Sequence, residues 1–237
     1  MALPASVHAL ERELRGVFGS RLQSLVAYAL RSHGGHGDSR VRTLALVESL
    51  TEQDLRACAR SVPAWHAAGL ATPLVVARAE FDQSLDAFPL EFGAIIADHE
   101  VVSGAQPFAE ARVDAADIRR ACEVQARSHL LHLREGFLEA GGNSHALAML
   151  IVQSAPPLTA LLTSLARLEG RADADAGSAA RHAERAAGVT GGLADVVALT
   201  GVHEISAERA EQFFTPYLTA VEKLVAYVDK WNDRARA

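Results

Sequence analysis

The apolar positions change their period along this chain. Over residues 6–18 they fall at Val7, Leu10, Leu14, Val17 and Phe18, the spacing of one helix face, and Gly19 stops the run. Residues 22–30 form a short, mostly apolar run that reads as a buried strand. Beyond a Gly- and His-rich loop, residues 41–47 alternate. Val41, Thr43, Ala45 and Val47 face one side, and Arg42, Leu44 and Leu46 face the other. Thr51, with Asp54 three residues on, predicts a capped helix over 52–68 that ends at Gly69. A third strand over 73–77 and a short helix over 82–85 follow. A fourth strand is predicted over 88–96, interrupted by Pro89 and Gly93.

From Asp114, which can cap a long helix, the period is helical throughout. One helix spans 115–140 and is closed by Gly141-Gly142. Asn143 or Ser144 caps the next, which runs to about Leu168 and is expected to kink or break at Pro156-Pro157. Residues 170–177, with Asp173 and Asp175, read as a polar linker. Helices near 178–187 and 192–199 come next. Ser206 caps a last helix over 207–232, with Pro216 inside it or between two parts of it. The pattern predicts an α+β fold: a small mixed sheet with flanking helices over 1–114, then an all-helical bundle over 115–237.

Composition narrows the function classes. The 237 residues suffice for one large domain or two modest ones. A net charge of −6 gives no general attraction to nucleic acid or to an anionic membrane, and few aromatics leave no evident base-stacking platform. Cys58 and Cys122 sit in helical patterns without a nearby Cys partner, as expected of reduced, buried thiols in a cytoplasmic protein. The first fifteen residues lack a signal-peptide pattern. The longest apolar stretch, near 146–162, is broken by Gln153, Ser154 and the two prolines, which argues against a membrane span. Neither G-x-x-x-x-G-K nor G-x-G-x-x-G occurs.

Tyr28-Ala29-Leu30-Arg31-Ser32-His33-Gly34, a spacer, and Ser39-Arg40-Val41-Arg42 before the apolar strand carry a family likeness. They resemble the opening of the nucleotidyltransferase superfamily with the polymerase-beta-like fold, where Y-G-S-x-A-R-G precedes S-D-x-D. Tyr28, Gly34 and Ser39 fit. The family's Gly-Ser falls on Ala29-Leu30, and its two aspartates fall on Arg40 and Arg42. Residues 88–92, with Glu91, and the stretch 117–142 resemble later parts of stand-alone bacterial members, so the likeness covers about the first two thirds of the chain.

In that family, paired carboxylates on one strand face hold two magnesium ions that grip the triphosphate. Two guanidiniums there repel a divalent cation and offer it no lone pair. Ala29 restricts the phosphate turn, and Leu30 removes its hydroxyl. Glu91 is a residual acidic position, and one carboxylate does not make a two-metal site. The resemblance therefore implies a nucleotidyltransferase-like pseudoenzyme acting as a binding or interaction module, with no catalytic residue, metal or cofactor. Arg40 and Arg42 read either as an anion clamp where the metals would sit or as plain ion-pair partners of Glu48, Asp38 or Glu91.

Other readings stay open. A divergent nucleotidyltransferase acting on a small alcohol would draw on Asp38, Glu48, Glu91 and Asp98. Arg127 and His132 have the R-x-x-x-x-H spacing of HEPN-type ribonucleases, which fits an RNA-directed module or an ordinary polar helix face. His33, His36 and Asp38 suggest a metal cluster or simply a polar loop, and no closed site is expected from one loop. Trp65 and Trp231 are expected to pack at domain edges. No ligand or partner is specified by these patterns, and the long helices permit a homodimer.

Overall fold

The computed structural model describes residues 3–29, 40–171 and 174–234, the last three by backbone alone. The chain divides into two compact units with the boundary between Asp114 and Ala115.

The first unit opens with α1 (Ala5–Phe18), which leads into β1 (Leu22–Tyr28). Then come β2 (Arg42–Val47), α2 (Glu52–Ala59), α3 (Val62–Ala67) and β3 (Leu74–Ala77). The unit closes with α4 (Arg78–Ser84), α5 (Pro89–Ala97) and β4 (His99–Gly104). The strands form one mixed sheet in the order β3-β2-β1-β4. β1 runs antiparallel to both β2 and β4, while β2 and β3 are parallel.

Two cores sandwich the sheet. On one face, the α1 stripe Val7, Leu10 and Leu14 packs with Leu25, Ala45 and Val47, and with Trp65 and Leu70. Trp65 also donates its indole N–H to Glu13 at 2.8 Å. On the other face, Val26, Leu44 and Leu46 meet Phe81 of α4 and Phe92 and Ile95 of α5. Phe81 and Phe92 pack edge to face at 5.1 Å. A fully buried Leu or Phe in such a core contributes on the order of 2 kcal/mol by area. Burial on both faces explains why β1 reads as a nearly continuous apolar run and why both faces of β2 carry apolar residues.

Two sequence expectations are corrected here. The helix expected over 52–68 is two helices, because Pro63 lacks the N–H that would continue α2 and instead sits in the first turn of α3. The strand expected over 88–96 is helix α5. Pro89 is favourable in its first turn, and Phe92 and Ile95 bury one face at helical spacing. A short apolar run does not distinguish strand from buried helix. The fourth strand lies just beyond, at β4. Gly104 there has φ +85°, and a Cβ on it would sit 2.0 Å from the Gln23 carbonyl oxygen. Only glycine admits this approach of β4 to β1.

The second unit comprises α6 (Ala115–Ala140), α7 (Ser144–Leu168), α8 (Ala176–Ala187), α9 (Leu193–Val197) and α10 (Ala207–Arg234). Asn143 caps α7, its side-chain oxygen accepting from the N–H groups of His145 and Ala146 at 3.0 and 3.1 Å. Of the kink or break expected at the two prolines, the break does not occur: α7 runs on through Pro156 and Pro157. It is long and apolar enough to cross a membrane by length and composition alone. Here its face Ile151, Leu158, Leu161 and Leu165 is buried in the bundle. α10 buries Phe214, Tyr217, Val221, Leu224 and Val228 at helical spacing, with Pro216 inside the helix. Asp175 is no linker residue: its carboxylate caps α8, accepting from the Ser178 N–H at 2.9 Å. Cys58 and Cys122 are both buried and unbonded, and burial pushes the Cys122 thiol up to about 12.

Candidate functional site

The family likeness falls on one end of the sheet. β1 ends at Tyr28, whose neighbours in register are Arg42 on β2 and His99 on β4. The alternation of strand side chains places Tyr28 and Arg42 on the same face as Val26, Leu44 and Leu46. α5 packs on that face through Phe92 and Ile95, and Glu91 lies in its first turn. The three side chains therefore converge. Burial raises the Tyr28 phenol above its ordinary value, the Arg42 charge draws it down and the Glu91 charge pushes it up.

Ala29 follows directly. It is the one non-glycine residue with positive φ among the described residues, at +56°. Its N–H donates to the Asp98 carbonyl oxygen at 3.0 Å, which ties the turn to the start of β4. A left-handed alanine costs about 1 kcal/mol. At the end of β1, Ala29 thus holds a backbone conformation that glycine adopts more readily.

Val41 fixes the start of β2. Its N–H donates to the Gly69 carbonyl at 2.9 Å, and its own carbonyl accepts from the Ala71 N–H at 2.9 Å. Arg40 and Arg42 flank it, with Arg40 half-buried and Arg42 exposed. Leu30 and the cluster His33, His36 and Asp38 lie outside the described residues.

The family resemblance implies two magnesium ions held by paired carboxylates at this end of the sheet. β1, β2 and β3 carry no carboxylate, and the only one on the four strands is Glu100 of β4. No group of three or more His, Cys, Asp or Glu side chains is arranged to hold a metal among the described residues. Glu91 stands on a helix, and Arg42 opens β2. Among the described residues, the strands supply no pair of carboxylates for a two-metal centre.

The other candidates are scattered. Glu48 follows the far end of β2, away from Arg42. Arg127 on α6 is committed to Asp229 at 2.7 Å and Glu123 at 3.4 Å, and the exposed His132 lies 3.3 Å from Glu135. The sheet unit's best-built ion pair was not read from sequence at all. Arg21 grips Asp54 through both carboxylate oxygens at 2.8 Å, and the Thr51 hydroxyl donates to the same carboxylate at 2.7 Å. Its only sequence signal was the capping box, since Arg21 and Asp54 lie 33 residues apart.

No family model matches the chain, and no curated protein matches it. Among solved structures, a spectinomycin adenyltransferase from Enterococcus faecialis, crystallised with ATP and spectinomycin, is similar to it. The two are 11% identical with a TM-score of 0.59, over 95% of this chain and 98% of that one. The chain thus has the α+β nucleotidyltransferase-like fold, a mixed four-stranded sheet with flanking helices followed by a helical region.

Proposed function

We propose that this chain is a nucleotidyltransferase-like protein without metal-dependent nucleotidyl transfer, serving as a binding or interaction module. The observation that carries the reading is Arg42 facing Tyr28 on a sheet end whose first three strands hold no carboxylate. Arg42 puts positive charge where the transfer reaction needs lone pairs for a cation. A guanidinium beside the Ala29 turn suits an anion better than a metal. Arg40, two residues before it, adds to the positive charge at this end of β2.

Titration calorimetry with ATP, with and without magnesium, tests this. Any ATP binding is expected to be magnesium-independent and to weaken in Arg42→Gln. Micromolar binding that requires magnesium would overturn the reading. It would favour instead a divergent nucleotidyltransferase acting on a small molecule, which is the activity class of the structural neighbour. Glu91 and Asp98 would then be the carboxylates to substitute.

A further inference from the structure

The second unit contains a cavity of about 200 Å³ between α6 and α7, remote in sequence from the sheet end discussed above. Its walls divide by chemistry. Leu133, Leu150 and Pro157 are apolar, while Gln125, Ser128 and Gln153 present uncharged hydrogen-bonding groups. No Asp, Glu, Lys or Arg lines it. His132 stands at its rim, with a side chain 75% exposed.

The deepest polar group is His129, buried to 7% exposure. Counting protons fixes its tautomer. The Ser154 hydroxyl donates to the Ile151 carbonyl at 2.7 Å, so its one proton is spent. The Tyr217 hydroxyl therefore donates to Ser154, at 2.9 Å. His129 Nε2 lies 2.5 Å from the Tyr217 oxygen, whose proton is also spent, so Nε2 must be the donor in that contact. Nδ1 is then left unprotonated, an acceptor with no partner among the described residues. Burial, with a smaller push from His132, lowers the ring to about 4 and keeps it neutral near pH 7. His129 lines the cavity, and a ligand N–H can supply the donor that Nδ1 accepts.

We propose that this cavity binds a small uncharged ring bearing N–H donors, of the size and chemistry of a free nucleobase, held by His129 Nδ1 and the amides of Gln125 and Gln153. Size agrees, since a cavity of about 150 Å³ accommodates benzene. Charge agrees as well: a phosphate would find no cation on these walls. A polyol of equal size would lack the planar faces that Leu133, Leu150 and Pro157 can flank. The proposal is independent of whether the sheet unit transfers nucleotides.

Gly136 supplies a way to close the cavity without touching its polar groups. A Cβ there would lie 2.5 Å from Leu150 Cδ1, so Gly136→Ala forces Leu150 to turn, and the open space beside Leu150 is the cavity it lines. The test is titration of the full ¹⁵N-labelled chain with uracil, and separately with myo-inositol, followed by amide shifts. Uracil is expected to give saturable shifts over residues 125–133 and 150–157 with a Kd of about 1 mM or tighter. Affinity should fall at least about tenfold in Gly136→Ala and several-fold in Gln153→Leu, whose exposed position leaves folding intact. Absence of saturable uracil shifts in these segments, an equal response to inositol, or unchanged affinity in both variants would overturn the proposal.

Discussion

The two units hold one buried polar group each in opposite ways. The sheet unit buries a charge. Asp54, 7% exposed, is held by the Arg21 fork and by Thr51, and these bonds keep its carboxyl well below the usual carboxylate range despite burial. The helical unit buries a neutral relay, in which His129, Tyr217 and Ser154 pass hydrogen bonds down to a helix carbonyl. Their tight approaches differ too. Gly104 meets a backbone oxygen, which cannot yield, whereas Gly136 meets the far end of a leucine, which can. The approach at Gly104 is therefore fixed by main chain, and the approach at Gly136 by an adjustable side chain.

The sharpest test of that contrast is the glycine pair. Gly104→Ala adds left-handed strain to a backbone clash and should cost about 4 kcal/mol, measured by urea unfolding. Gly136→Ala should cost less than about 1 kcal/mol, because the gain in helix propensity offsets the leucine's movement. Equal losses in the two variants would break the comparison.

Acid separates the units next. Between about pH 6.5 and pH 4, the unfolded chain takes up a proton on His129 that the folded chain refuses. Stability of the helical unit should therefore fall as pH drops through that window, by up to about 3 kcal/mol. His129→Gln should flatten this slope. Asp54 acts lower down: its depressed carboxyl adds stability that is present above about pH 4 and is lost as pH falls below it. Asp54→Asn should remove only that lower step. Trp65 lies in the first unit and Trp231 in the second, so single-tryptophan variants report each unit by fluorescence.

The smallest expected effect is at the turn. Ala29→Gly relieves about 1 kcal/mol of left-handed strain but adds unfolded-state entropy of similar size. The net change should lie between zero and a gain of about 1 kcal/mol, read from the urea midpoint. A clear loss would mean that the alanine methyl makes a contact worth more than the strain.

Legibility followed sequence range. α6 was readable to its ends because its apolar stripe is sustained and Gly141-Gly142 closes it. α5 was misread because nine residues, mostly apolar, satisfy either period until packing decides. Within the site, the pairing of Arg42 with Tyr28 was absent from the strand alternation, since it depends on β1–β2 register. Glu91 reached the same face only because its segment is a helix. The polar relay was invisible for the same reason: His129 and Tyr217 are 88 residues apart, and Tyr217 and Ser154 are 63 apart. No local pattern encodes such a meeting.

The order of strands also sets an order of events. β1 sits between β2 and β4, and its bond from Ser24 to the Ser103 carbonyl closes a loop of 79 residues. On a growing chain, β2 emerges soon after β1, while β4 arrives only after four helices and another strand have been made. Throughout that interval the edge bearing Leu25, Val26 and Ala27 has no strand beside it. An unpaired, apolar edge of this kind recruits other strands. Synthesis that stalls before residue 99 leaves a template for aggregation, and the last strand of the sheet is the one that removes it.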